Sequence, residues 1–177
     1  LPHGWIVQLL LKAQLMNVSA ILCPTDFSRH SEAALEFASA LAAESNATLH
    51  IVHVDDTSLT YIPGYAGYGL APNPVEELKQ KEHERLSQIV PSHAGVEYQH
   101  QYLTGNPERE LLELAQREDI DLIVMGSHGR TGLSRVLMGS VAEGVVRHAK
   151  CPVLIVKQPI PADDAVVAAS AEKRCIE

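Results

Sequence analysis

From Ala20 onward the chain alternates short apolar runs with longer stretches of helical period, and no other feature constrains its fold more tightly. Runs of four to eight apolar residues are strand-sized, and strands separated by helices assemble as a parallel sheet covered by those helices. The pattern predicts five strands and four helices.

Strand one is 20–24 (AILCP). Ser28 then caps a helix in which Ala33, Ala34, Phe37, Ala38 and Leu41 recur at helical spacing. Strand two is 48–54 (TLHIVHV). Residues 55–73, rich in Tyr, Gly and Pro, have no period and read as a long loop, functional or disordered. Asn73, Pro74 and Glu76 form a helix start, opening a mostly polar helix to about Val90. Strand three is 96–103. Its Val96, Tyr98, His100 and Tyr102 fall on one face and Glu97, Gln99 and Gln101 on the other, as expected of an edge strand. Asn106 and Pro107 start a helix carrying Leu111, Leu112, Leu114 and Ala115. The continuous apolar run 121–125 (DLIVM) is strand four, buried on both faces and therefore central. Ser140 and Glu143 form a capping-box pair opening a helix to about Ala149, and 152–157 (PVLIVK) is strand five.

The predicted fold class is α/β: a doubly wound, five-stranded parallel sheet with helices on both faces, Rossmann-like in its right-handed crossovers. In such sheets the ligand crevice lies outside the carboxyl ends of the strands, at the point where strand order reverses. The loops after strands one and four are therefore the places to look.

Composition bounds the partners. A length of 177 residues gives one domain with a full core. The expected division is an amino-terminal extension over 1–16, a folded domain over 17–157 and a tail over 158–177. The net charge of −8 repels polyanions, so neither nucleic acid nor an anionic membrane is an expected partner. The apolar stretch 5–16 is interrupted by Gln8, Lys12 and Gln14. It is shorter than the roughly 20 residues a membrane span needs, and it lacks the basic start and small-residue cleavage site of a signal peptide. Cys23, Cys151 and Cys175 contain no CxxC pair and fit neither a disulfide framework nor a zinc site, which points to a reducing cytoplasm.

The loop after strand four reads Gly126-Ser127-His128-Gly129, nine residues, then Gly139-Ser140 at a helix start, a G-x2-G-x9-G-S spacing. Glycines let backbone approach a ligand closely, and the first amides of the helix point outward with positive partial charge, which together describe a phosphate cradle. The Ser140 hydroxyl, Arg130 and Arg135 lie in reach of phosphate oxygens, or serve only as a helix cap and solvated loop charges. Across the crevice the loop after strand one, Pro24-Thr25-Asp26-Phe27-Ser28, offers a carboxylate. It suits the nucleoside end of a ligand, unless Asp26 merely caps the helix.

This arrangement resembles the universal stress protein family in its ATP-binding branch. The resemblance rests on ILCPTDFS, the strand IVHV, VMGSHGRTGLSRVLMGS and the final CPVLIVK, and covers roughly 18–157. It implies the adenine nucleotide alpha hydrolase-like form of the Rossmann-like fold and ATP as ligand, with Mg2+. Asp26 and the backbone at Val54 would hold the adenosine, with Pro24 and Thr25 of the same loop among the cofactor-binding residues. Met125, Gly126, His128, Gly129, Arg130, Gly139, Ser140 and Val141 would surround ribose and phosphates. It also implies a homodimer through strand five, from Pro152 to Lys157.

Other nucleotide and catalytic signatures do not occur. Without a Walker A loop there is no P-loop lysine to stabilise a leaving phosphate, which argues against fast ATP hydrolysis. Gly67-Tyr68-Gly69 sits in an aperiodic loop and is no dinucleotide fingerprint. Ser134 is followed by Arg135 and Val136, so it is no nucleophile elbow. His50 and His53, three apart on a strand, face opposite ways and read as ordinary sheet histidines. The expected function is an ATP-binding stress-response regulator without a catalytic residue. Two alternatives stay open: a slow ATPase or adenylyl-transferring enzyme on the same site, and an interaction module whose crevice binds no nucleotide.

Overall fold

The structure, a computed structural model, describes residues 18–56, 74–128 and 138–157. The expected extension over 1–16, the tail over 158–177, nearly all of the 55–73 loop and the Asn73 cap lie outside the described residues. So do Gly129, Arg130, Arg135 and Cys175.

The described residues form β1 (Ala20–Pro24), α1 (Arg29–Ser45), β2 (Thr48–Asp55), α2 (Pro74–Ser87), β3 (Tyr98–Thr104), α3 (Pro107–Arg117), β4 (Leu122–Gly126), α4 (Ser140–His148) and β5 (Val153–Val156). All strand pairs are parallel and the sheet order is β3-β2-β1-β4-β5. Strand order therefore reverses between β1 and β4, which pair through Ile21 with Leu122 and Leu22 with Ile123. β3 is at one edge, as its alternation implies, and β4 is interior, as its apolar run implies.

Side chains alternate across a strand, so each interior strand feeds two cores. Ile21 and Cys23 of β1, Leu49 and Ile51 of β2 and Val124 of β4 pack with Ala34, Ala38 and Leu41 of α1 and Leu86 of α2. Leu22, Val52, Ile123 and Met125 point the other way, onto Leu111, Leu114 and Ala115 of α3 and Ala142 and Val145 of α4. Helices thus cover both faces. Cys23 has no exposed surface, and burial pushes its thiol up to about 12, which makes it core packing and not a nucleophile.

The helix starts read from local sequence hold at two positions. Ser28 accepts from the Ser31 N–H (3.3 Å) and Asn106 from the Arg109 N–H (3.0 Å). The third start is corrected. Gly139, extended at φ −62° and ψ 148°, is the cap residue of α4 and makes no side-chain cap bond. Ser140 is one position too far along, already helical, and Glu143 pairs with Arg147 (2.7 Å) instead of closing a capping box. α2 stops at Ser87, short of Val90. Its last N–H groups reach back only three residues, from Gln88 to Arg85 and from Ile89 to Leu86, and Pro91 disfavours helical backbone at Val90.

Asp121 joins the amino-terminal ends of β1 and β4, its Oδ2 accepting from Ser19 N (2.8 Å), Ser19 Oγ (2.8 Å) and Ala20 N (3.0 Å). Burial by itself would raise its carboxyl, but those hydrogen bonds outweigh it and hold the group below the usual Asp value. A lowered folded-state value contributes stability that is present above the unfolded value of roughly 3.9 and is lost as pH falls through the folded value. Asp121→Asn should accordingly be less stable than the parent at neutral pH, with the gap closing below about pH 4. Urea unfolding midpoints across that range check it, and a gap that does not depend on pH would contradict it.

Candidate functional site

At the carboxyl end of β1 the chain turns sharply. The Thr25 hydroxyl donates to Ser31 Oγ (3.2 Å) and accepts from the Phe27 N–H (3.1 Å), while Asp26 Oδ1 accepts from the Ser28 N–H (3.1 Å). Asp26 is therefore not the cap of α1, which is Ser28. Phe27 takes φ 62°, a left-handed conformation that is costly for a bulky residue.

At the carboxyl end of β4, Gly126 meets the first turn of α1. A Cβ there would lie 2.9 Å from the backbone C and O of His30, so only glycine permits this approach. Ser127 N–H donates to Val156 O (3.1 Å), and Ser127 O accepts from Gly139 N–H (2.9 Å), which brings the start of α4 back beside the end of β4. His128 Nδ1 is 3.0 Å from Ser127 Oγ, and its ring is 5.5 Å from that of His30. The first intrahelical bond of α4 is Glu143 N–H to Gly139 O (2.9 Å), so the amides of Ser140, Val141 and Ala142 precede the helical ladder and point toward the crevice mouth.

These two ends enclose a cleft of about 150 Å³, opening into about 630 Å³ of space that includes solvent. Of the residues singled out in the sequence, Pro24, Thr25, Asp26, Val54, Met125, Gly126, His128, Gly139 and Val141 line it. Ser140 does not; its side chain is exposed. Gly129 and Arg130 lie outside the described residues. The cleft also takes Ser31, Val52, Pro107, Leu111 and Ala142, which the sequence reading did not single out. Two of them carried a signal: Val52 shares a strand face with Val54, and Ala142 is one helical turn from Gly139. Among the described lining residues Asp26 and His128 are the ionisable side chains. One wall is thus apolar, one lip carries a carboxylate, and the other carries backbone donors at the positive end of a helix.

A larger hollow of about 510 Å³ sits at the opposite end of the sheet, bordered by Gln116, Asp119, Asp121, Lys150 and Cys151. Two of its polar groups are already engaged: Lys150 Nζ donates to Gln116 Oε1 (2.9 Å), and Asp121 accepts from the Ser19 and Ala20 amides. The crevice at the switch point is the stronger candidate.

The two strand histidines do face opposite ways. His50 Nδ1 lies 2.9 Å from Gln99 Nε2 on the α3 and α4 face, and burial lowers its pKa. His53 turns toward α2. Among the described residues no group of three His, Cys, Asp or Glu side chains is placed to hold a metal ion, and no helix is long and apolar enough to cross a membrane.

The universal stress protein family model matches residues 17–157, a span that contains all described residues. Universal stress protein MJ0531 of Methanocaldococcus jannaschii is 39% identical over 142 residues, covering 78% of this chain and 82% of its own. Universal stress protein MJ0577 of the same organism is 34% identical over 152 residues, covering 78% of this chain and 94% of its own. The solved structure of MJ0577 aligns with a TM-score of 0.61 at 28% identity, over 81% of this chain and 99% of that one. A universal stress protein solved in complex with cAMP aligns with a TM-score of 0.51 at 29% identity, over 79% of this chain and 97% of that one. With the family model spanning most of its length and relatives above 30% identity along 82% and 94% of their own chains, this chain belongs to the universal stress protein family.

Proposed function

We propose that the chain is an ATP-binding regulatory protein of the stress response, holding the nucleotide across the carboxyl ends of β1 and β4. The observation that carries this reading is the composition of the two lips: a carboxylate, Asp26, on one, and three helix-start amides beside Gly126 and Gly139 on the other. A carboxylate accepts hydrogen bonds from a base or ribose and repels phosphate, whereas the helix start attracts phosphate. The ligand therefore lies with adenosine over Asp26 and the Val54 backbone and with its phosphates toward Gly139 and Val141. By the family resemblance Gly129, Arg130 and Ser140 would also serve the phosphate end, and Mg2+ would accompany the triphosphate. The cAMP complex of a similar protein supports an adenine nucleotide as the ligand class.

A regulatory role is favoured over fast hydrolysis because the sequence has no Walker A loop and so no P-loop lysine to stabilise a leaving phosphate. β5 lies at an edge of the sheet with all four residues only half-buried, and Val146 of the preceding α4 is exposed. A second copy pairing along residues 152–157 would cover that surface, and nucleotide occupancy would act on the dimer or on a partner in the cytoplasm.

Calorimetric titration of nucleotide-free protein with magnesium ATP tests the reading. The expected result is saturable micromolar binding, about −8 kcal/mol, absent with GTP and weakened about tenfold or more by Asp26→Ala. No heat at millimolar ATP would leave the nucleotide-free interaction module as the better account.

A further inference from the structure

Resting on the nucleotide reading above, we infer that His53 is the positioning residue that frees the end of β2 for the ligand. The β1 and β2 ladder continues one rung beyond β1, through the Thr25 N–H to Val52 O (2.7 Å). In a parallel pair the next rung would join the Val54 N–H to the Thr25 carbonyl. That carbonyl instead accepts a side-chain hydrogen bond: His53 Nδ1 lies 2.7 Å from it. A carbonyl only accepts, so Nδ1 carries the hydrogen and the tautomer is set. The imidazole thus takes the rung's place, closes the sheet ladder one residue early, and leaves the Val54 backbone facing the cleft that Val54 lines.

Two neighbouring rings, those of Phe27 and Tyr102, hold the imidazole there. His53 is 3% exposed; its Nε2, 3.4 Å from Oε2 of Glu82 on α2, makes no hydrogen bond, and that carboxylate accepts instead from Tyr102 Oη (3.1 Å). Its face packs on Phe27, ring centroids 4.4 Å apart, and the Arg85 guanidinium lies 4.3 Å over the Phe27 ring. Phe27 is the residue at φ 62°, and such a strained position persists only where surrounding structure over-determines it. The same imidazole therefore holds both nucleoside contacts: Val54 by sparing its backbone, and Asp26 through the carbonyl before it and the ring after it. Asp55, two residues on along the same strand face, lies 3.6 Å from Lys79 Nζ of α2.

The test uses two polar replacements that each keep half of the imidazole. Asparagine places its amide nitrogen where Nδ1 stands, and glutamine where Nε2 stands. His53→Asn is expected to bind ATP within about threefold of the parent. His53→Gln and His53→Leu should each lose about tenfold or more in affinity, as for a buried hydrogen bond left unmade. Thermal midpoints are measured alongside, because a merely structural histidine would lower all three midpoints and leave the dissociation constants alike. Should leucine prevent folding, the Asn and Gln pair still separates the two accounts. Equal affinities in folded Asn and Gln variants, or a loss in Asn as large as in Gln, overturn the positioning role while leaving ATP binding in place. A folded parent that binds no ATP overturns both.

Discussion

Gly139→Val should abolish ATP binding, with affinity falling by at least about 100-fold, while the protein stays folded. The backbone at Gly139 is extended, φ −62° and ψ 148°, a conformation valine adopts without strain. Its N–H bond to Ser127 O does not depend on the side chain. What changes is the space: Gly139 lines the cleft at the capping position of α4, and a branched side chain there stands where phosphate oxygens would meet the helix-start amides. Calorimetry for affinity and circular dichroism for fold check the two halves of the expectation. Unchanged affinity in a folded variant would refute the phosphate cradle.

The largest effect on stability is expected at Leu114, which has no exposed surface and packs between α3 and the β4 face of the sheet. Leu114→Ala should cost about 2–5 kcal/mol, the transfer term of the lost methyl groups plus the cavity that a close-packed core fills only in part. Leu78→Ala, at a position 50% exposed on α2, is the control and should stay within about 0.5 kcal/mol. Urea denaturation of both variants measures the difference.

Features set by neighbours in sequence were legible without coordinates. Ser28 and Asn106 announce helix starts because a cap acts over three residues. The apolar run of β4 and the alternation of β3 announce an interior and an edge strand because the environment of each face is written into every second residue. The spacing of Gly126 and Gly139 announced a shared loop. Ser140 misled because a serine beside a glycine offers two possible first residues, and only the backbone angles choose between them.

The sequence by itself therefore determined the class of fold, the number and kind of elements, and which two loops share the crevice. Tertiary structure alone decided what crosses between elements. Pro107 and Leu111 reach the cleft from α3, and their meeting with β1, β2 and β4 there depends on sheet order and crossover packing, which no local period encodes. His53 is the clearest case. In sequence it is one strand histidine among others. Its role rests on the Thr25 carbonyl 28 residues earlier and on the ring of Tyr102 from β3, neighbours that meet only once β1, β2 and β3 have packed.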